Sequence, residues 1–66
     1  MRINGAKLKQ ARESAGLTRS DLAVIADVTQ VRIWQMESRP ESNVNENVAK
    51  AIAKRLKVDV KEIQAA

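Results

Sequence analysis

A short run of residues after Thr29 carries polar and apolar side chains at helical spacing. Gln30 can donate and accept hydrogen bonds at once, as the N6 and N7 atoms of adenine require, and Val31 offers an apolar group to the methyl of thymine. Gln35 lies one helical turn beyond Val31 and therefore on the same face. Arg32 could reach either a guanine or a phosphate group. We interpret Thr29, Gln30, Val31, Arg32 and Gln35 as candidates for contacting the edges of base pairs.

The composition offers little for catalysis. The 66 residues include neither histidine nor cysteine, so the commonest general base and metal ligand and the thiolate nucleophile are all absent. No Gly-rich loop could hold a phosphate, and no two carboxylates have a spacing that suggests a catalytic cleft. We therefore expect no enzymatic activity, no metal site, no cofactor and no small-molecule ligand.

The charge balance favours an anionic partner. Twelve Lys and Arg residues against eight Asp and Glu give a net charge of +4, with a sequence pI near 10.0. Trp34 is the only aromatic residue, which argues against binders that stack single-stranded bases on several rings. No apolar run has the length of a membrane span and the N-terminus has no signal-peptide core, so we expect a cytoplasmic protein without a membrane partner.

The starts of helices are the clearest structural signal. A short polar residue that can cap a helix stands between an apolar residue and another apolar residue four positions later. This arrangement occurs at Asn4, Thr18, Thr29 and Asp59, and Asn43 followed by Glu46 would cap a further helix. The sequence predicts five helices, near residues 5–15, 19–26, 30–37, 44–56 and 60–64. No stretch alternates like a strand, and the polar run 38–43 predicts a loop.

Residues 19–36, RSDLAVIADVTQVRIWQM, have the pattern of two short helices joined by a tight turn. Leu22 would face the core, and Ala23 is small where the second helix must cross the first. Ile33 and Met36 would anchor that second helix, leaving its early residues to project outward. Such a helix can enter the major groove of DNA.

With its flanking residues, this segment resembles the Cro/repressor-type (XRE-like) helix-turn-helix family of phage and bacterial regulators. The resemblance runs from about Leu8 to Ile63 and rests on Gly16-Leu17-Thr18, Leu22-Ala23, Val28-Thr29-Gln30, Ile33, Met36-Glu37, Leu56, Val58-Asp59 and Glu62-Ile63. It implies an all-α fold, a compact five-helix bundle of the lambda-repressor-like type. Members usually act as dimers on operator DNA.

The resemblance also implies roles for individual residues. Arg12 and Glu37 occupy positions where the family often has an ion pair that joins the first helix to the end of the recognition helix. Asp27 and Lys57 stand where relatives usually have glycine, and Arg19 stands where many have glutamine.

Contacts to phosphates are expected at two places. Helix N-termini favour anions through their free N–H groups and dipole, which singles out Thr18 with its neighbour Arg19. The other candidates are Ser38, Arg39 and Asn43, in the polar run. Such contacts would position the protein on DNA without specifying sequence.

Trp34 has no single interpretation from the sequence. It lies between the core-facing and groove-facing positions of its helix. It could pack on the sugar-phosphate backbone, cover the first motif helix near Ile25, take part in a dimer contact, or be a partly buried extension of the core.

We therefore expect residues 1–66 to form one helix-turn-helix DNA-binding domain, with motif helices at about 19–26 and 30–37. Its partner would be double-stranded DNA, bound as a homodimeric repressor at a palindromic operator in the cytoplasm of a bacterium or phage-infected cell. The alternative is a protein-interaction module on the same frame, which would use an apolar patch of Val24, Ile25, Val31 and Trp34 to regulate a partner.

Overall fold

The computed structural model describes residues 1–65. Within this range, a polar side chain caps the N-terminus of each helix. The elements in chain order are strand β1 (Arg2–Asn4), helices α1 (Gly5–Ser14), α2 (Arg19–Ala26) and α3 (Gln30–Ser38), strand β2 (Glu41–Asn43), helix α4 (Glu46–Leu56) and a 3-10 helix (Val60–Glu62). The mostly helical fold and the positions of the motif helices therefore agree with the expectation.

The caps of the first three helices are confirmed. The side chain of Asn4 accepts a hydrogen bond from the Lys7 N–H at 2.9 Å, and the hydroxyl of Thr29 accepts one from the Arg32 N–H at 3.1 Å. Thr18 caps α2 in the same way, and each bond satisfies an N–H that has no partner inside its helix.

The cap predicted for the fourth helix is wrong. Asn45, not Asn43, begins α4, and its side chain accepts a hydrogen bond from the Asn47 N–H at 2.8 Å. Asn43 is unable to cap the helix because it belongs to strand β2. The predicted start at residue 44 is correspondingly two residues early.

The loop predicted over residues 38–43 is also partly wrong, because its second half is strand β2. β2 pairs antiparallel with β1, with Ile3 opposite Ser42. Three-residue strands are too short to show an alternating pattern in a sequence, so nothing in the composition indicated them.

The five-helix prediction fails at its last member. Residues 60–62 form only a 3-10 helix, because the following residues extend along the free edge of β1 instead of continuing a helix. The Asn4 N–H donates to the Ile63 carbonyl at 2.8 Å, and the Ala65 N–H donates to the Arg2 carbonyl at 3.0 Å. These bonds tie both ends of the described chain together.

The core lies between the four α-helices and the sheet. Its largest fully buried side chains come from nearly every element and are Ile3, Leu8, Leu22, Ile33, Met36, Ile52 and Ile63. No helix within residues 1–65 combines the length and apolar character needed to cross a lipid bilayer.

Candidate nucleic-acid interface

The connection between α2 and α3 is only three residues long, residues 27–29. Asp27 adopts the left-handed conformation, with φ of 55°, and the Val28 N–H donates to the Ala23 carbonyl at 3.0 Å. This pair of features is a Schellman closure of α2. Thr29, the next residue, caps α3. The short, closed turn therefore fixes the orientation of α3 relative to α2.

One face of α3 is buried and the opposite face is open. Ile33, Met36 and Glu37 are buried, and a helix places the residues between them on the other side. Gln30 is exposed and Gln35 is half-buried. Val31 and Trp34 are large apolar residues that are 63% and 53% exposed. We name the surface formed by Gln30, Val31, Trp34 and Gln35 the outer face of α3.

Arg32 does not share this face. One terminal nitrogen of its guanidinium donates to the backbone carbonyl of Asn43 at 2.8 Å, which holds the side chain along β2. The bond occupies a carbonyl at the outer edge of the sheet, so Arg32 stabilises the strand that follows α3. Thr29, the other flanking candidate, uses its hydroxyl for the helix cap.

Glu37 lies in a buried cluster with two arginines. Its carboxylate accepts bonds from Arg12 Nε at 2.6 Å, from Arg12 Nη2 at 3.1 Å and from Arg19 Nε at 3.1 Å. The side chain of Glu37 is 1% exposed, that of Arg12 is 9% exposed and that of Arg19 is 41% exposed. Hydrogen bonding to Glu37 raises the pKa of Arg12, although burial opposes this effect.

The structure thus brings Arg12 and Glu37 together, as the resemblance implied, and adds a partner that sequence reasoning did not assign. Arg19 was singled out only for phosphate contact. Its bond to Glu37 fixes the start of α2 against the end of α3. The Nε–H is used, and the half-exposed guanidinium keeps its other donors for a further partner. The only signal for this bond in the sequence was the arginine itself, at a position where many relatives have glutamine.

A carboxylate already occupies the N-terminus of α2. The Asp21 side chain accepts from the Thr18 N–H at 2.8 Å while the Thr18 hydroxyl accepts from the Asp21 N–H at 3.1 Å, forming a capping box. The bonds from the Thr18 backbone and hydroxyl lower the pKa of Asp21. The Asp21 carboxylate already accepts the Thr18 N–H that a phosphate would otherwise use, and its negative charge lies at the same helix end. Of the two phosphate candidates there, Thr18 and Arg19, Arg19 is therefore the stronger.

The remaining phosphate candidates lie at the opposite end of α3 from its cap. Ser38 is the last residue of α3, Arg39 follows it, and Asn43 is on β2. All three are exposed. The C-terminus of a helix repels anions, so the charge that would attract a phosphate at this end has to come from Arg39.

The four apolar residues proposed as a patch do not behave alike. Val24 is 79% exposed on α2. Ile25, however, packs against the core and lines a shallow groove with Leu17 and with Arg55 of α4. Trp34 is about half exposed and is not one of the buried core residues, so the four residues do not form one uniformly exposed patch.

Gly5 is a structural residue that sequence reasoning missed. It begins α1 directly against the end of α3, where a Cβ atom would overlap the carbonyl oxygens of Met36, Glu37 and Arg39. Its own N–H donates to the Pro40 carbonyl at 3.2 Å. Only glycine allows this approach of the two backbones, and no motif in the sequence marked it.

Comparison with known proteins agrees with this architecture. A family model described as helix-turn-helix matches residues 8–63, which runs from within α1 to just past the 3-10 helix. No curated protein is significantly similar to the chain.

Proposed function

The chain belongs to the helix-turn-helix family of the Cro/repressor (XRE-like) type, and from that premise we propose that it binds double-stranded DNA in a sequence-specific manner. Members of this class are DNA-binding transcription regulators. In this proposal, α3 is the recognition helix and lies in the major groove.

The observation that carries the proposal is the chemistry of the outer face of α3. It combines amide groups, which can pair with base edges, with apolar groups that can contact thymine methyls. Glu37 is the only acidic residue of α3. Its carboxylate is buried against two arginines, so the outer face presents no negative charge to a polyanion.

We assign the contacts by residue as follows. Gln30, Val31 and Gln35 read bases, while Thr29 is a further contact at the start of the helix. Arg19 and Arg39 bind phosphates, helped by the polar groups of Thr18, Ser38 and Asn43. Arg32 is a phosphate neighbour at most, because its guanidinium is held by β2.

We further propose that the protein acts as a dimeric repressor at a palindromic operator. Two copies related by a two-fold axis would place their α3 helices in successive major grooves, about 34 Å apart. Repression needs no further chemistry, because a bound dimer excludes other proteins from the same duplex.

The alternative, a protein-interaction module, has weaker support. It requires the four apolar side chains to form one exposed patch, whereas Ile25 is half-buried against the core. Three exposed apolar residues remain, and two of them share α3 with Gln30 and Gln35, which a dry protein interface would have little use for.

Selection from a randomised duplex pool at low salt, followed by sequencing, tests the proposal. We expect a two-fold symmetric motif to be enriched. The Gln30→Ala variant should change the preferred base at one position of each half-site. Arg39→Ala should weaken binding to every sequence and reduce the salt dependence of the affinity.

Lys54→Ala is the matched control for Arg39→Ala, because it removes the same charge from an exposed position on α4. It should change affinity less than Arg39→Ala does. Failure of any motif to be enriched would contradict sequence-specific binding, and equal effects of Gln30→Ala and Arg39→Ala on all sequences would contradict the division of roles.

A further inference from the structure

Two apolar side chains on the outer face of α3 remain largely exposed in the described part of the chain. Val31 and Trp34 are 63% and 53% exposed, and neither belongs to the buried hydrophobic core. Leaving an indole ring half in water forgoes much of the free energy that its burial would supply. The fold itself therefore gives no reason for a tryptophan at this position.

The spacing places the ring next to residues already assigned to base contact. Trp34 lies four positions after Gln30 and three after Val31, and both separations make neighbours on a helix surface. The indole thus extends the apolar surface of Val31 toward the middle of α3, on the side that carries Gln30.

The charges around this surface favour DNA over a protein partner. α3 exposes no carboxylate, since Glu37 is buried. Ser38 and Arg39, polar and basic, follow the outer face at its C-terminal end. An apolar strip between amide groups and a basic end matches a major groove, where thymine methyls lie between hydrogen-bonding base edges and the phosphates.

We propose that Trp34 is a specificity-determining residue that, with Val31, recognises the 5-methyl groups of thymine in the half-site. The inference rests on the proposed function and deepens it. In this proposal, apolar contact with the methyl group gives the preference for thymine over cytosine, while Gln30 and Gln35 supply hydrogen bonds to neighbouring base pairs.

Deoxyuridine tests this directly, because it differs from thymidine only by the missing methyl group and keeps the same base pairing. Each thymine of the selected duplex is replaced in turn, and affinities are measured for the unmodified protein. At one or more positions per half-site we expect about a fourfold loss for each contacted methyl, from about 0.8 kcal/mol per buried carbon.

Variants then assign the discrimination to side chains. Trp34→Ala and Val31→Ala should bind thymine and deoxyuridine duplexes equally at the affected positions, and Trp34→Leu, which keeps an apolar side chain, should retain part of the preference. Val24→Ala is the matched control, because Val24 is equally apolar and more exposed but lies on α2. It should discriminate as the unmodified protein does.

The outcomes separate this inference from the proposed function. A symmetric motif with no deoxyuridine effect at any thymine would overturn methyl recognition and leave DNA binding intact. Discrimination that persists in Trp34→Ala would also overturn it, and a simultaneous loss of the second bound copy in sedimentation with the symmetric duplex would assign the indole to a contact between copies. If no motif is enriched, the proposed function fails first and the inference fails with it.

Discussion

Glu37 illustrates how a single buried carboxylate can hold three helices. It lies near the end of α3 and bonds to Arg12 of α1 and to Arg19 at the start of α2. A further bond, from Arg12 Nη1 to the Leu17 carbonyl at 2.8 Å, fixes the connection between α1 and α2. The cluster leaves no buried charge without an opposite one, which is the condition under which such charges are tolerated.

The two arginines should differ in their contribution to stability. Arg12→Met should lower the free energy of unfolding by about 3 kcal/mol, because it removes the better buried partner of Glu37. Arg19→Met should cost less than about 1 kcal/mol, because its half-exposed guanidinium is already partly solvated. Urea unfolding followed by circular dichroism measures both. Equal losses would contradict the unequal burial of the two side chains.

Asp21 gives the fold a defined dependence on acid. Its pKa is lowered in the folded state by the Thr18 backbone and hydroxyl, so its contribution is present at neutral pH and is lost as the pH falls through that lowered pKa. The Asp21→Ala variant should therefore be less stable than the unmodified protein at pH 7, and the difference should shrink below about pH 4. The urea midpoint, measured from pH 7 to pH 2, reports this. A difference independent of pH would show that the carboxylate charge is irrelevant to the cap.

For individual residues, the sequence predicted interactions between two residues better than it predicted interactions among three. Arg12 and Glu37 followed from family resemblance, and the Thr18 cap followed from residue type. The third member, Arg19, was not predictable, because the resemblance implies glutamine at this position in many relatives and no spacing rule relates residues on separate helices. The orientation of the Arg32 side chain was not predictable either, because its hydrogen-bond partner is the backbone of β2, a strand that no sequence pattern indicated.

Helices α1, α2 and α4 are each followed by a residue in the left-handed conformation, but only α1 has glycine at this position. Gly16, Asp27 and Lys57 all have positive φ, of 72°, 55° and 59°. In each case the next N–H reaches back to a carbonyl five residues earlier, as in Leu17 to Arg12. A side chain in this conformation costs free energy that glycine avoids.

Replacing the two side chains by glycine should therefore stabilise the protein. We expect Lys57→Gly to gain about 0.5–1 kcal/mol. Asp27→Gly should gain a similar amount, partly because its carboxylate lies at the negative end of the α2 dipole. Thermal unfolding measures both, with Lys54→Gly as the control. That substitution lies inside α4 and should instead cost about 1 kcal/mol.

The contact between α1 and α3 depends on the missing side chain of Gly5. Gly5→Ala would drive a methyl group into carbonyl oxygens of α3, and backbone atoms cannot move aside as a flexible side chain can. We expect a loss of about 3 kcal/mol, the upper end for overpacking, despite the better helix propensity of alanine. Gly16→Ala, where a Cβ would meet open space, should cost only about 1 kcal/mol from its positive φ. Similar losses at both glycines would contradict the close approach.

Whole elements were predictable where the signal was local. Caps such as Thr18 and Thr29 lie within four residues of the groups that they satisfy, so α2 and α3 could be placed almost to the residue. The strands depend on pairing between residues about forty positions apart, as in Ile3 and Ser42. That pairing explains the wrong loop and the wrong cap of α4. A second long-range pairing, of the residues after Glu62 with the other edge of β1, ends the expected fifth helix.

The size of the molecule limits how two copies can meet on DNA. The Cα atoms extend over 26 × 22 × 20 Å, whereas successive major grooves on one face lie about 34 Å apart. Even with the longest axis along the duplex, the two backbones would be separated by about 8 Å. If two copies bind as proposed, only side chains of these 66 residues could bridge such a gap, so we expect the contact between the two domains to be small and weak without DNA.

Half-site spacing should therefore control affinity strongly. On the symmetric site we expect two copies to bind together, with affinity well above that for one half-site, because the first copy raises the effective concentration of the second. Inserting about five base pairs between the half-sites turns one of them to the opposite side of the duplex. Affinity should then fall at least about tenfold, toward the value for a duplex with one half-site scrambled. Sedimentation of protein with each duplex gives the stoichiometry, and titration gives the affinity. Because the insertion leaves every base contact within a half-site unchanged, a loss can only come from the contact between copies. Affinity that is insensitive to spacing would instead mean that the domains bind as independent monomers.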